Sequence, residues 1–123
     1  PRQRRWDGRN GYSVLMDFDP DRIYQAVVDA GEDWADKKAA YEALDDVTKS
    51  VLADLTGDYA KSASSRTQAE SMALASKPYK DHLAAVSGAR RAWLMAQVKY
   101  EGVKMLAGLR QTQESTRRAE MKL

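Results

Sequence analysis

Two stretches of this 123-residue chain carry apolar side chains at alternating three- and four-residue intervals over many turns. Val27, Ala30, Trp34, Tyr41, Leu44, Val51 and Leu55 mark the first; Val86, Ala89, Trp93, Ala96, Tyr100, Val103 and Ala107 mark the second. That interval puts one apolar face on an α-helix. Lys37 and Thr48 interrupt the first seam, Val28, Val47 and Leu52 widen it, and Leu83 and Leu106 lie beside the second. A helix of some forty residues measures roughly 60 Å and, with a single apolar stripe, is not stable alone in water. It needs the other helix or a second copy. The expected fold is therefore all-α: a long antiparallel two-helix hairpin, coiled-coil-like, with a short connecting helix, dimerising into a helical bundle.

The punctuation of the sequence sets the boundaries, at about 20–58, 67–76 and 78–122. Asp19 is the expected N-cap of the first helix, with Pro20 in the first helical position, where a missing N–H is harmless. Gly31 is a weak spot, and Gly57 before Asp58 marks an end. "KSASSR" reads as a corner, and "TQAE" at 67–70 has the capping-box form, Thr67 as cap and Glu70 reaching back. Pro78 restarts helix in a first turn. Residues 16–123 then form a single helical domain. Residues 1–15 read as a flexible basic N-terminal tail containing the turn signals of "DGRNGY". Met16 is a candidate natural start, with the first fifteen residues an upstream extension.

Charge is distributed unevenly. Residues 1–15 carry +3, residues 16–58 carry −8 and residues 59–123 carry +7, for a net +2. Such halves either pair with each other or present two faces to partners. For an antiparallel pair joined at residues 62–77, facing residue numbers should add to roughly 135 to 140. That brings Asp45 near Arg90, and Asp33 near Lys99 or Lys104, as flanking ion pairs. Trp93 and Tyr100 read as core rather than as stacking platforms for bases. Left unpaired are an outer acidic face on the first helix and a basic C-terminal end of Arg110, Arg117, Arg118 and Lys122.

Several chemistries are excluded by what is missing. There is no cysteine, hence no disulfide, thiolate zinc site or cysteine nucleophile. His82 is the single histidine and reads as a solvated residue on a first helical turn. No phosphate-cradling glycine loop and no helical His/Glu metal spacing is present. The acid clusters "GEDWAD" and "LDD" lie within helical pattern and lack the geometry of a calcium loop. The expectation is a non-enzyme without cofactor or metal. No apolar run approaches a membrane span, and "PRQRRWDGRN" lacks the apolar segment of a secretory signal. A cytoplasmic protein is expected.

"GEDWAD" at 31–36, "KSVLADL" at 49–55 and "QESTRRAEMKL" at 113–123 give the chain from Met16 onward a resemblance to small helical proteins of tailed bacteriophages and prophages, uncharacterised and encoded near replication and recombination genes. The resemblance implies a phage accessory factor acting on nucleic acid or on a host protein, in the host cytoplasm. It assigns no residue a role.

Three functional readings follow. In the first, a basic helical surface of Arg90, Arg91, Lys99, Lys104, Arg110, Arg117, Arg118 and Lys122 binds single- or double-stranded DNA, with the Arg-rich segment around Trp6 and Tyr12 contributing phosphate contacts and stacking. In the second, Asp29, Glu32, Asp36, Glu42 and Asp46 imitate a phosphate backbone and inhibit a host or phage DNA-processing protein. In the third, the helices are a structural or assembly module. A homo-oligomer is expected in all three, through the seam of Trp34, Tyr41, Leu44, Val51, Leu55, Val86, Trp93, Tyr100 and Val103.

Overall fold

The computed structural model describes residues 19–122, and among them there are helices and turns but no strand. The order is α1 (Pro20–Asp46), α2 (Thr48–Tyr59), α3 (Arg66–Ala75) and α4 (Lys77–Lys122). The fold is an all-α hairpin with a short helix at its corner. The described residues group into two units, 32–97 and 19–31 with 98–122, each considered by itself. The segment 1–15, with its tail assignment, lies outside the described residues, as do Met16 and Leu123.

Local chemistry sets each helix end. The Asp19 carboxylate accepts from the Asp21 and Arg22 N–H groups at 3.1 and 3.4 Å, and Pro20 occupies the first helical position, as expected. The corner differs from the expectation. Ser65, in extended conformation, caps α3 by accepting from the Gln68 N–H at 3.1 Å, while the Gln68 side chain reaches back to the N–H and hydroxyl of Ser64. The cap thus sits two residues before Thr67, and Thr67 and Glu70 are exposed. Ser-x-x-Gln satisfies the same orphan donors as the Thr-x-x-Glu that follows it, and it is the pair nearer the corner. Ser76, also extended, joins α3 to α4 with one hydroxyl: it donates to the Ala73 carbonyl at 2.6 Å and accepts from the Tyr79 N–H at 3.4 Å.

In the unit of residues 32–97, antiparallel pairing is marked by three contacts between the facing helices. The rings of Tyr41 and Trp93 stack with centroids 5.3 Å apart and planes 18° from parallel. Lys38 places its ammonium 5.9 Å from the Trp93 ring and 5.5 Å from that of Trp34. Farther toward the corner, the Thr48 hydroxyl hydrogen-bonds His82 Nε2 at 2.9 Å. The Tyr41–Trp93 and Thr48–His82 pairs add to 134 and 130, one and five residues below the lower end of the range expected. His82 is half-buried and partnered, which corrects its reading as a solvated residue.

The first long helix is also not continuous. Val47 breaks it at φ −93°, ψ 3°, between α1 and α2. Thr48 supplies the cause: its hydroxyl lies 3.4 Å from the Leu44 carbonyl one turn back, a contact that bends helices, while His82 holds the same oxygen from across the hairpin. The break turns Val47 outward to 45% exposure, so it does not widen the seam.

Burial is shallow throughout. The buried residues are small: Ala69 and Ala73 on α3, Thr56 on α2, Ser76, and Ala96 on α4. Alanines four apart let α3 lie close against α2. In the unit of 19–31 and 98–122, Gly31 allows the corresponding approach: a Cβ there would stand 3.0 Å from Cε1 of Tyr100. Leu83 and Leu106, placed beside the second seam by their spacing, are 42% and 44% exposed.

The Thr48–His82 contact is open to a direct check. Thr48→Val leaves the His82 nitrogen half-buried without its partner and should lower stability by about 1 kcal/mol. The double variant Thr48→Val, His82→Leu removes both polar groups and should recover most of that loss. Urea unfolding of the four proteins of this cycle gives the coupling.

Candidate nucleic-acid interface

The basic residues singled out from the sequence all lie on α4, where ten Lys and Arg stand against four acids. Arg90 and Arg91 belong to the unit of 32–97; Lys99, Lys104, Arg110, Arg117, Arg118 and Lys122 belong to the other. All are exposed except Arg110, which is half-buried. Because side chains on a helix advance by about 100° per residue, the pairs 90/91 and 117/118 splay over a wide sector rather than forming one line.

Their partners are mostly on their own helix. Arg117 grips Glu114 with two nitrogens, Nη2 to Oε2 at 2.8 Å and Nε to Oε1 at 3.3 Å, and Arg118 Nε adds a third bond at 3.2 Å. The two guanidinium groups cover the carboxylate: the Glu114 side chain is 13% exposed, against 62% and 64% for the arginines. The hydrogen bond from Arg117 chiefly, with the charges of both arginines, holds the Glu114 carboxyl below its ordinary value near 4.5. Arg110 Nη1 donates to Gln113 Oε1 at 3.2 Å. The C-terminal end is therefore a set of arginines oriented by one acid and one amide, not the unpaired cluster expected. Lys104 stands 4.4 Å over the Tyr100 ring.

Asp33 pairs with Lys37 one turn along α1, in place of the expected Lys99 or Lys104. Lys77 with Asp81 at 2.8 Å is likewise a pair within one helix. A pair at four-residue spacing forms wherever the helix forms, whereas a pair across the hairpin also needs both side chains to be turned toward each other.

Trp34, Tyr41, Leu44, Val51, Leu55, Val86, Trp93, Tyr100 and Val103 are each half-buried. Trp93 and Tyr100 are engaged, by Tyr41 and Gly31 respectively, and not displayed for stacking on bases. On α1, the acids Asp29, Glu32, Asp36, Glu42 and Asp46 are all exposed. Asp29 accepts a hydrogen bond from Gln25 at 2.8 Å.

One basic location was not legible from the sequence. Between α2 and α3 an open cleft of about 630 Å³ is lined by Lys49, Thr56, Ser64, Ser65, Arg66 and Glu70 among others. The signal available was "KSASSR", read only as a corner. Among the described residues no three acids or histidines gather as a metal site, and no helix is long and apolar enough to cross a membrane. Comparison with known proteins returns no family model, no curated sequence and no solved structure that matches this chain.

The Glu114 carboxyl gives a pH prediction. Its folded-state pKa is depressed, so its pairing supports the last turns of α4 fully above about pH 4.5 and is lost as pH falls through the lowered value. Protection of the amides at residues 115–121, relative to their intrinsic exchange at each pH, should be unchanged between neutral and mildly acidic pH and should fall below the ordinary carboxylate range. Glu114→Gln should show the lower protection at all pH values.

Proposed function

We propose that this chain is a helical accessory protein that binds nucleic acid through the basic surface of α4, in the setting of phage DNA replication or recombination. The observation that carries the reading is the condition of the arginines. Arg117 and Arg118 are exposed and held by Glu114 on their own helix. Arg118 spends only its Nε there, whereas Arg117 has Nε and Nη2 on Glu114 and Nη1 on the Met121 sulfur, so the outward donors are chiefly those of Arg118. Guanidinium groups held in this way are suited to phosphate oxygens, which accept two parallel N–H donors. With Trp93 and Tyr100 engaged inside the hairpin, contacts would be to the backbone, giving salt-sensitive and sequence-tolerant binding.

A second reading rests on α1, whose five exposed acids would engage the nucleic-acid site of a DNA-processing protein. It predicts competition with DNA for that protein and no DNA binding by the chain itself.

Binding to labelled single- and double-stranded DNA over a salt series separates the two. The first reading expects affinity that falls steeply with salt. Replacing Arg110, Arg117 and Arg118 by Gln should reduce the logarithmic salt slope by about 2 to 3, close to one unit for each phosphate that is no longer neutralised. An unchanged slope would remove this patch, and absence of binding at low salt would leave the acidic face as the functional surface.

A further inference from the structure

The C-terminal half of α4 has a second line free of charged residues, with Val98, Met105 and Leu109 as its large apolar members, distinct from the seam of Tyr100, Val103 and Ala107. Val98, Gly102, Met105, Leu109, Thr112, Thr116 and Ala119 follow one another at four- and three-residue intervals, seven successive positions without a charge. In a helix as charged as this one, such a run is the pattern of a coiled-coil seam. Its large members are open to solvent: Val98 is 68% exposed, Met105 69% and Leu109 56%. Nothing lies within 4 Å of a Cβ built on Gly102. The Thr112 hydroxyl donates to the Gly108 carbonyl at 3.0 Å, so its methyl group remains for packing.

The charges beside this line say what covers it. On one flank stand Lys99 and Glu120; on the other stand Glu101 and Lys122. In both cases the opposite charges are three heptads apart, and the order of signs is inverted between the flanks. When two identical helices pair antiparallel, each flank meets its own reverse. A single register then sets Lys99 against Glu120 of the other copy and Glu101 against its Lys122, each twice by symmetry. The same register faces large residues with small ones: Leu109 with Thr112, Met105 with Thr116, Gly102 with Ala119. With Gly31 against Tyr100, the equal rise of the two helices brings the start of α1 to about residue 111. Among the described residues, 112–122 therefore have no facing helix within their own unit.

We infer that this face of α4, from Val98 to Lys122, is an antiparallel homodimer interface, its occupant a second copy of the same chain in the register that pairs Lys99 with Glu120. The inference is independent of nucleic-acid binding. It has one consequence for it: Lys99 and Lys122 turn inward to the dimer, and Arg117 and Arg118 of the two copies are carried to opposite ends of the paired helices.

Sedimentation equilibrium of the full chain across the micromolar range tests the interface. A monomer–dimer equilibrium is expected, and Met105→Asp should abolish the dimer while the far-ultraviolet helical signal is retained. Lys99→Glu sets like charges together twice and should weaken dimerisation by about five- to tenfold. Adding Glu120→Lys to the same chain restores opposite pairs and should return the affinity to that of the parent. A monomer at every concentration, a dimer indifferent to Met105→Asp, or failure of the charge swap to rescue would each overturn the proposal. Should Met105→Asp lose helicity, the two charge variants decide the matter.

Discussion

The stack of Tyr41 on Trp93 is the contact on which the unit of residues 32–97 depends. The buried residues among those described are small, alanines with a threonine and a serine, and the large seam side chains are only half-buried. Few large side chains meet face to face, so a pair of rings with centroids 5.3 Å apart supplies an unusual share of the apolar contact and of the geometric specificity. Lys38 closes over Trp93 and Trp34, its stem shielding the rings while its charge stays near water. The cost is one buried indole N–H: Trp93 Nε1 has no acceptor among the described residues.

Polar residues within the seam divide the work of specifying register. Apolar half-burial is tolerant of slippage, because neighbouring heptads look alike. Thr48 and His82 are not interchangeable with their neighbours, and their hydrogen bond is made in one alignment only. The same threonine bends the chain at Val47. Gly31 acts differently, by admitting the Tyr100 ring where any side chain would crowd it.

The fold class, the helical seams and the Asp19–Pro20 start were legible because each depends on local spacing or a local hydrogen bond. The break at Val47 was not, since a threonine in mid-helix bends the chain only when its hydroxyl turns back to the preceding turn, and His82 arrives from 34 residues away. The corner cap was misplaced because two overlapping capping patterns, Ser65 to Gln68 and Thr67 to Glu70, compete within six residues. For the basic surface, residue positions were readable and partners were not. Glu114 is one acid among five in the second half of the sequence, and only side-chain geometry shows it enclosed by two arginines. The exposed line from Val98 to Ala119 was in the sequence too, hidden because apolar residues on two sides of one helix blur its period.

The α4 helix lends one face to the hairpin and leaves Arg117 and Arg118 exposed. The ion pairs of Asp33, Asp81 and Glu114 lie within single helices, so on this account the hairpin rests on its aromatic pair. Urea unfolding of Trp93→Phe and Trp93→Ala, followed by circular dichroism, tests this most directly. Trp93→Phe keeps a ring against Tyr41 and removes the unpartnered N–H, so it should change stability little. Trp93→Ala should cost on the order of 3 kcal/mol, enough to remove a large part of the stability of a chain this size. Equal and small effects from both substitutions would show that the stack does not hold the hairpin together.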